Sequence, residues 1–161
     1  MSFTTNEFLG LKFIDLSSTD TVNSSGATDY ARITPPDGQI YQIKDIQYYA
    51  ADPSGSGSGT HKVLIYHEAT VCQYELYHKL IEVLGNSGTN IGIGYGGGIG
   101  ILAGTTKLPD SDEESYSVIN GGIWFNNNNP VDIKYTNSTD VNQTEKRTCN
   151  VVVAVYKGES L

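Results

Sequence analysis

The sequence is short of cysteine, of basic residues and of long apolar runs, and each shortage excludes something. Two cysteines in 161 residues, Cys72 and Cys149, are too few for a disulfide scaffold. Without a CxxC pair they cannot make a zinc site alone. Both fall in apparent strands, which reads as two buried thiols; a bridge between them requires neighbouring strands. Ten Lys and Arg stand against eighteen Asp and Glu, a formal net charge of −8, and such a chain repels phosphate backbones. A nucleic-acid partner is therefore not expected. No stretch approaches the ~20 apolar residues a membrane-spanning helix needs, so no membrane partner is expected either. The first residues, Met1 to Glu7, lack a basic start, an apolar run and a small-residue cleavage site. No signal peptide, and folding in a cytoplasm, are the expectation.

What is plentiful points to strands. Gly, Ser, Thr and Asn supply 59 of the 161 residues, an excess of turn and strand-edge types. Eleven Tyr against four Phe and one Trp add aromatics that favour strands and carry polar tips. Leu9 to Leu16 reads as a first strand, preceded by an extended N-terminal arm over 1–8 and followed by a polar stretch to Thr28. Tyr30 to Thr34 is a short strand stopped by Pro35-Pro36, and Asp37-Gly38 supplies a turn. In Ile40 to Ala50 the apolar parity changes between Ile43 and Ile46, which predicts a β-bulge near Lys44-Asp45. Asp52 to Gly59 reads as a mobile hairpin loop, and His61 to Glu68 as a strand covered on both sides. Val71 to Leu84 fits a helix through Leu76, Leu80, Val83 and Leu84; its neighbours favour two strands. A turn at 86–88, an Ile/Gly alternation over 90–104, an acidic loop over 108–115 and a strand over 116–125 follow. A turn at 126–129 and strands over 131–135 and 148–156 complete the chain. Nine or ten short strands with turns between them predict one all-β domain over 1–161, an antiparallel β-sandwich that is jelly-roll like.

Motifs for chemistry are sparse. Gly92, Gly94 and Gly97 form a G-x-G-x-x-G, but the glycines that follow leave no helix to hold a dinucleotide. The pattern instead turns Ile91, Ile93, Ile99 and Ile101 inward and leaves a glycine face that suits close approach by a neighbouring subunit or a flat partner, the alternative being a flexible loop. Asp110, Asp112, Glu113 and Glu114 read as a solvated acidic loop rather than a calcium site, because the EF-hand spacing is missing. His61 and His67 share a strand face yet stand about 20 Å apart at ~3.3 Å per residue, so with His78 they do not suggest a metal site. Sequons at Asn23, Asn137 and Asn142 read as chance matches. No G-x-S-x-G and no paired carboxylates are present, so neither an enzyme nor a cofactor is expected.

The tyrosines say more. Tyr41, Tyr48, Tyr49, Tyr66, Tyr74, Tyr77, Tyr95 and Trp124 exceed what a small core needs, and tyrosine is enriched at interfaces. Half of them are accounted for by cross-strand packing; Tyr48, Tyr49, Tyr95 and Trp124 are the expected contact residues. Three stretches, Pro35 to Ile43, Asn129 to Asn137 and Cys149 to Tyr156 with its tail, give the chain a resemblance to the small jelly-roll decoration or cement proteins of tailed bacteriophages. The resemblance is one of style over the last three quarters of the chain, without a diagnostic motif. It implies a structural virion protein on the outside of the particle, a homo-trimer that bridges neighbouring subunits of the major capsid protein. The arm and the polar stretch to Thr28 are the expected clamp. A carbohydrate- or receptor-binding β-sandwich, with surface Tyr and Trp124 stacking on sugars, is the alternative.

Overall fold

Alternating apolar residues and glycine-rich turns leave this chain one way to bury its side chains, as two pleated layers pressed face to face. The computed structural model describes residues 7–53, 58–71, 74–86, 88–95, 99–106 and 124–158. Among them, nine strands have five residues or more: β1 (Glu7–Asp15), β2 (Ala27–Ile33), β3 (Gln39–Ala50), β4 (Gly59–Val71), β5 (Tyr74–Asn86), β6 (Ile91–Tyr95), β7 (Ile99–Ala103), β10 (Val131–Thr139) and β11 (Thr148–Lys157). Two-residue strands β8 (Thr105–Thr106) and β9 (Trp124–Phe125) lie between β7 and β10.

One sheet runs β1-β11-β3-β6-β7, with β9 also on β3; the other runs β2-β10-β4-β5-β8. Every ladder is antiparallel, and four of them nest: β1 with β11, β2 with β10, β3 with β6, β4 with β5. That is one long hairpin rolled up until β11 meets β3 and β10 meets β4. The strand order is a jelly roll, not an immunoglobulin-like sandwich. Ile43, Ile46, Val63, Ile65, Val131 and Val153 from both sheets fill the core.

Two irregularities decide which residues face that core. Between Asp45 opposite Val152 and Ile43 opposite Val153, Lys44 is the extra residue of the bulge that the parity change predicts. In β5 the register steps from Ile81 opposite Ile65 to Lys79 opposite Tyr66, so Leu80 is bulged. That step reverses the parity and produces the helical spacing of Leu76, Leu80, Val83 and Leu84. The described residues of the stretch are all strand: Val71 ends β4, and Tyr74–Asn86 form one continuous β5.

Other expectations change. Residues 52–59 are not a hairpin loop, because β3 and β4 lie in different sheets and the segment crosses between them; residues 54–57 lie outside the described residues, as do Cys72, the acidic loop and 116–123 of the expected strand. Of the expected arm, 1–6 lie outside the described residues, and Glu7 and Phe8 already pair with Lys157 and Tyr156.

The polar stretch after β1 is tied to its own fold. Ser18 and Arg147 exchange both backbone hydrogen bonds, as do Val22 and Gln143, and Ser25 N and Gly26 N donate to Thr139 O and Asn137 O. Asn137, fully buried, donates to Val22 O at 3.1 Å and Val141 O at 2.8 Å and accepts from Thr139 N and Oγ1. A sequon asparagine so enclosed offers no nitrogen to a glycan in the folded state.

Candidate interaction surface

The run Leu9 to Leu16 is apolar at both parities, whereas a strand with one covered face alternates. Its place explains the difference. β1 is the outermost strand of its sheet, paired only with β11 among the described residues. A bulge at Leu9, followed by Gly10 at φ 132°, sets the register. Phe8, Leu11 and Phe13 then stand opposite Tyr156, Ala154 and Val152, on the face turned away from the core. Phe8 is 56% exposed, Leu11 58% and Phe13 78%. Lys12 points the other way, and its Nζ donates to Tyr41 Oη at 3.3 Å. Covering a large apolar side chain is worth roughly 1.5–3 kcal/mol, so three exposed in a row on a strand that is an edge among the described residues make this the candidate interaction surface.

Aromatic rings extend the surface across the sheet. The Phe8 and Tyr156 centroids are 5.4 Å apart, and those of Tyr156 and Trp124 5.1 Å. Beside Phe13, a groove of about 350 Å³ is bordered by Asp45, Gln47, Asn150 and Val152. Between Glu7 and Asp15 the strand carries no acidic residue. The carboxylates of this region lie at the two ends of the strand, Glu7 and Asp15, and along the groove, which Asp15 and Asp45 line.

Two of the four expected contact residues have side chains on the outward side. Tyr49 and Trp124 are exposed, Tyr49 standing opposite Gly92 of β6 and Trp124 opposite Gln42 of β3. Tyr95 ends β6 opposite Ile99. Tyr48 is a correction. The bulge at Lys44 sets the parity of β3 so that Ile46, Tyr48 and Ala50 turn inward, and Tyr48 is 5% exposed. Its phenol lines a cleft inside the sandwich and offers almost nothing to a partner surface. Tyr41, Tyr66 and Tyr135 are buried too, the packing role expected of half the tyrosines. Phe8, Leu11 and Phe13 were not among the expected contacts, although unbroken apolarity in a strand was the signal for them.

The titratable groups inside the fold are structural. His61 is buried with Nδ1 3.0 Å from Tyr135 Oη and Nε2 2.8 Å from Thr89 O, and burial lowers its pKa, which favours the neutral ring. His67 and His78 are register partners across β4 and β5. Among the described residues, no group of three His, Cys, Asp or Glu could hold a metal ion. Cys149 is a free, buried thiol, and burial pushes its pKa up to about 12, far from a nucleophile's range. Arg32 and Asp132 form a two-pronged ion pair across β2 and β10, with Tyr30 Oη donating to the same carboxylate at 2.7 Å. The chain matches no protein-family model and no curated protein, and no solved structure matches it.

Proposed function

We propose that the protein is a structural subunit on the outside of a tailed-phage particle, a trimer that bridges neighbouring subunits of the major capsid protein and stabilises the shell. The observation that carries the assembly part is the row Phe8, Leu11 and Phe13 on the free edge of a jelly roll. The virion part rests on the resemblance in sequence style. The row packs against a second copy of this chain, and the trimer so formed presents several copies of the capsid-facing surface at once. Copies joined in this way gain avidity through effective concentration. Mass of the full chain by light scattering behind a sizing column tests the first part, with a trimer expected. A strict monomer at tens of micromolar overturns it. An antibody against the chain tests the second part by labelling the exterior of purified particles.

A second reading, a carbohydrate- or receptor-binding domain, has the exposed indole of Trp124 in its favour. It requires that Trp124→Ala abolish glycan binding in a chain that still folds.

A further inference from the structure

We propose that the groove on the outer face of β1, β11 and β3 receives an arginine side chain of another protein. This deepens the assembly reading: it rests on that face being an interaction surface and names the chemistry of the partner met there. The strand register lays the groove out as two rows across three strands. Phe13, Val152 and Asp45 stand opposite one another in the first row, and Asp15, Asn150 and Gln47 in the second. Lys44, the extra residue of the β3 bulge, sets the parity that brings Asp45 to this face. Val152 and Asn150 form the floor. The walls are β1 and β3, two strand spacings or roughly 10 Å apart. The groove holds about 350 Å³.

The lining selects the occupant. Asp15, exposed, and Asp45, half-buried, take opposite corners of this grid, and no Lys or Arg lines the groove. Their hydrogen bonds come from neutral groups: Asp15 Oδ1 accepts from Ser17 N at 2.9 Å, and Asp45 Oδ2 from Gln47 Nε2 at 3.4 Å. The bonds from Ser17 hold the Asp15 carboxyl below its ordinary value, so it is charged at neutral pH. An anion is repelled here, and a purely apolar side chain would desolvate the carboxylates without compensation. A second copy, with eighteen acidic residues against ten basic, is a poorer source of a cation than a basic partner. Arginine matches each part of the lining. Its methylene stem can lie along Val152, its guanidinium can donate to Asp15 while Asp45 adds its field from the far wall, and its plane can stack on the Phe13 ring, which is 78% exposed.

The test is an NMR titration of the full chain with N-acetylarginine methylamide, with N-acetylleucine methylamide as the apolar control. The side-chain amide signals of Asn150 and Gln47 should shift and saturate with the arginine probe and stay in place with the leucine probe. Exposed ion pairs are individually weak, so Asp15→Asn should reduce the affinity by about threefold and Asp15→Asn with Asp45→Asn by about tenfold. Both variants should keep the wild-type mass in light scattering. Three outcomes overturn the proposal: no saturating shift with the arginine probe; equal affinity in wild type and the double variant; or the leucine probe bound as tightly as the arginine probe. A fourth, a changed mass of the double variant, puts a second copy in the groove and overturns the partner named here. A wild type that is monomeric and still binds the arginine probe supports the groove and overturns only the assembly reading, so the two failures are told apart.

Discussion

Strand β1 and the dozen residues that follow it make an instructive pair. One is the most continuously apolar stretch near the N-terminus, the other the most polar. By composition alone, the first belongs inside and the second in solvent. The structure places Phe8, Leu11 and Phe13 of β1 in solvent, whereas Val22 is buried and the polar stretch is bonded from Leu16 to Gly26 onto the segment from 137 to 149. Position in the sheet decides the first case, because an edge strand has one neighbour and an uncovered outer face. Bond satisfaction decides the second, because polar groups are tolerated inside when each finds a partner. Asn137 has partners for both its nitrogen and its oxygen, and Gln143, also buried, donates through Nε2 to Ala51 O and accepts from Glu145 N.

The largest effect should come from breaking the polar half of this pair. Asn137→Ala strands the Thr139 amide and removes three further bonds, to the Val22 and Val141 carbonyls and from the Thr139 hydroxyl, although Gln143 N still donates to Val22 O and Thr139 Oγ1 to Val141 O. At ~1–3 kcal/mol for the stranded amide and ~0.5 kcal/mol for each of the other bonds, a loss of about 3 kcal/mol is expected. In a domain of this size that corresponds to roughly 9 °C in Tm, read by thermal unfolding. A drop below about 3 °C would mean that the stretch is held by something other than this amide.

Asp29→Asn comes next. It removes the counter-charge of a nearly fully buried guanidinium; because the Asp29 side chain is 26% exposed, the expected cost is about 2 kcal/mol, less than for a fully buried pair. The pH dependence follows. Burial alone would raise the Asp29 pKa, but hydrogen bonds from Arg147 and Ser18 outweigh it and the folded value lies below 3.8. The unfolded chain therefore binds this proton first as pH falls. The stabilisation is complete above about pH 4 and is lost as pH drops through the folded value. Tm measured from pH 6 to pH 2 should fall more steeply for wild type than for Asp29→Asn. His61 gives a second window. Its folded pKa lies below 6.5, so its contribution is complete above that pH and shrinks as pH falls from there toward the folded value. A gentle decline in Tm between pH 7 and pH 5, absent in His61→Gln, is the expected result.

How much of this was legible beforehand follows the same division. Local signals were read well: Pro35-Pro36 ends β2, Gly38 at φ 78° makes the turn before β3, and the parity break at Lys44 is a bulge. Each depends on residues within a few positions of one another. Non-local facts were not legible. That β3 and β4 lie in different sheets, and that Leu80 is skipped against Ile65 and Tyr66, depend on partners distant in the sequence. The choice of Tyr48 as a contact residue failed for a related reason. Tyrosines were weighed as a residue type, yet one step of parity separates buried Tyr48 from exposed Tyr49. The cleft could not have been foreseen, since it joins Asp29, Tyr48 and Arg147 from three separate segments.

The smallest effect on stability should accompany the largest effect on mass. Phe13→Ser removes the most exposed ring in the row, and its side chain faces away from the core. Exposed substitutions of this kind usually change stability by no more than ~0.5 kcal/mol. The variant should therefore melt within about 2 °C of the wild type at concentrations where both are monomeric. At concentrations where the wild type assembles, it should run as a monomer by light scattering, and Phe8→Ser with Leu11→Ser should behave alike. A variant that unfolds would show that β1 is held by its outward face after all, and the contrast with the polar stretch would collapse. A variant that keeps the wild-type mass would move the contact elsewhere on the molecule, with the exposed Tyr49 on β3 the next side chain to change.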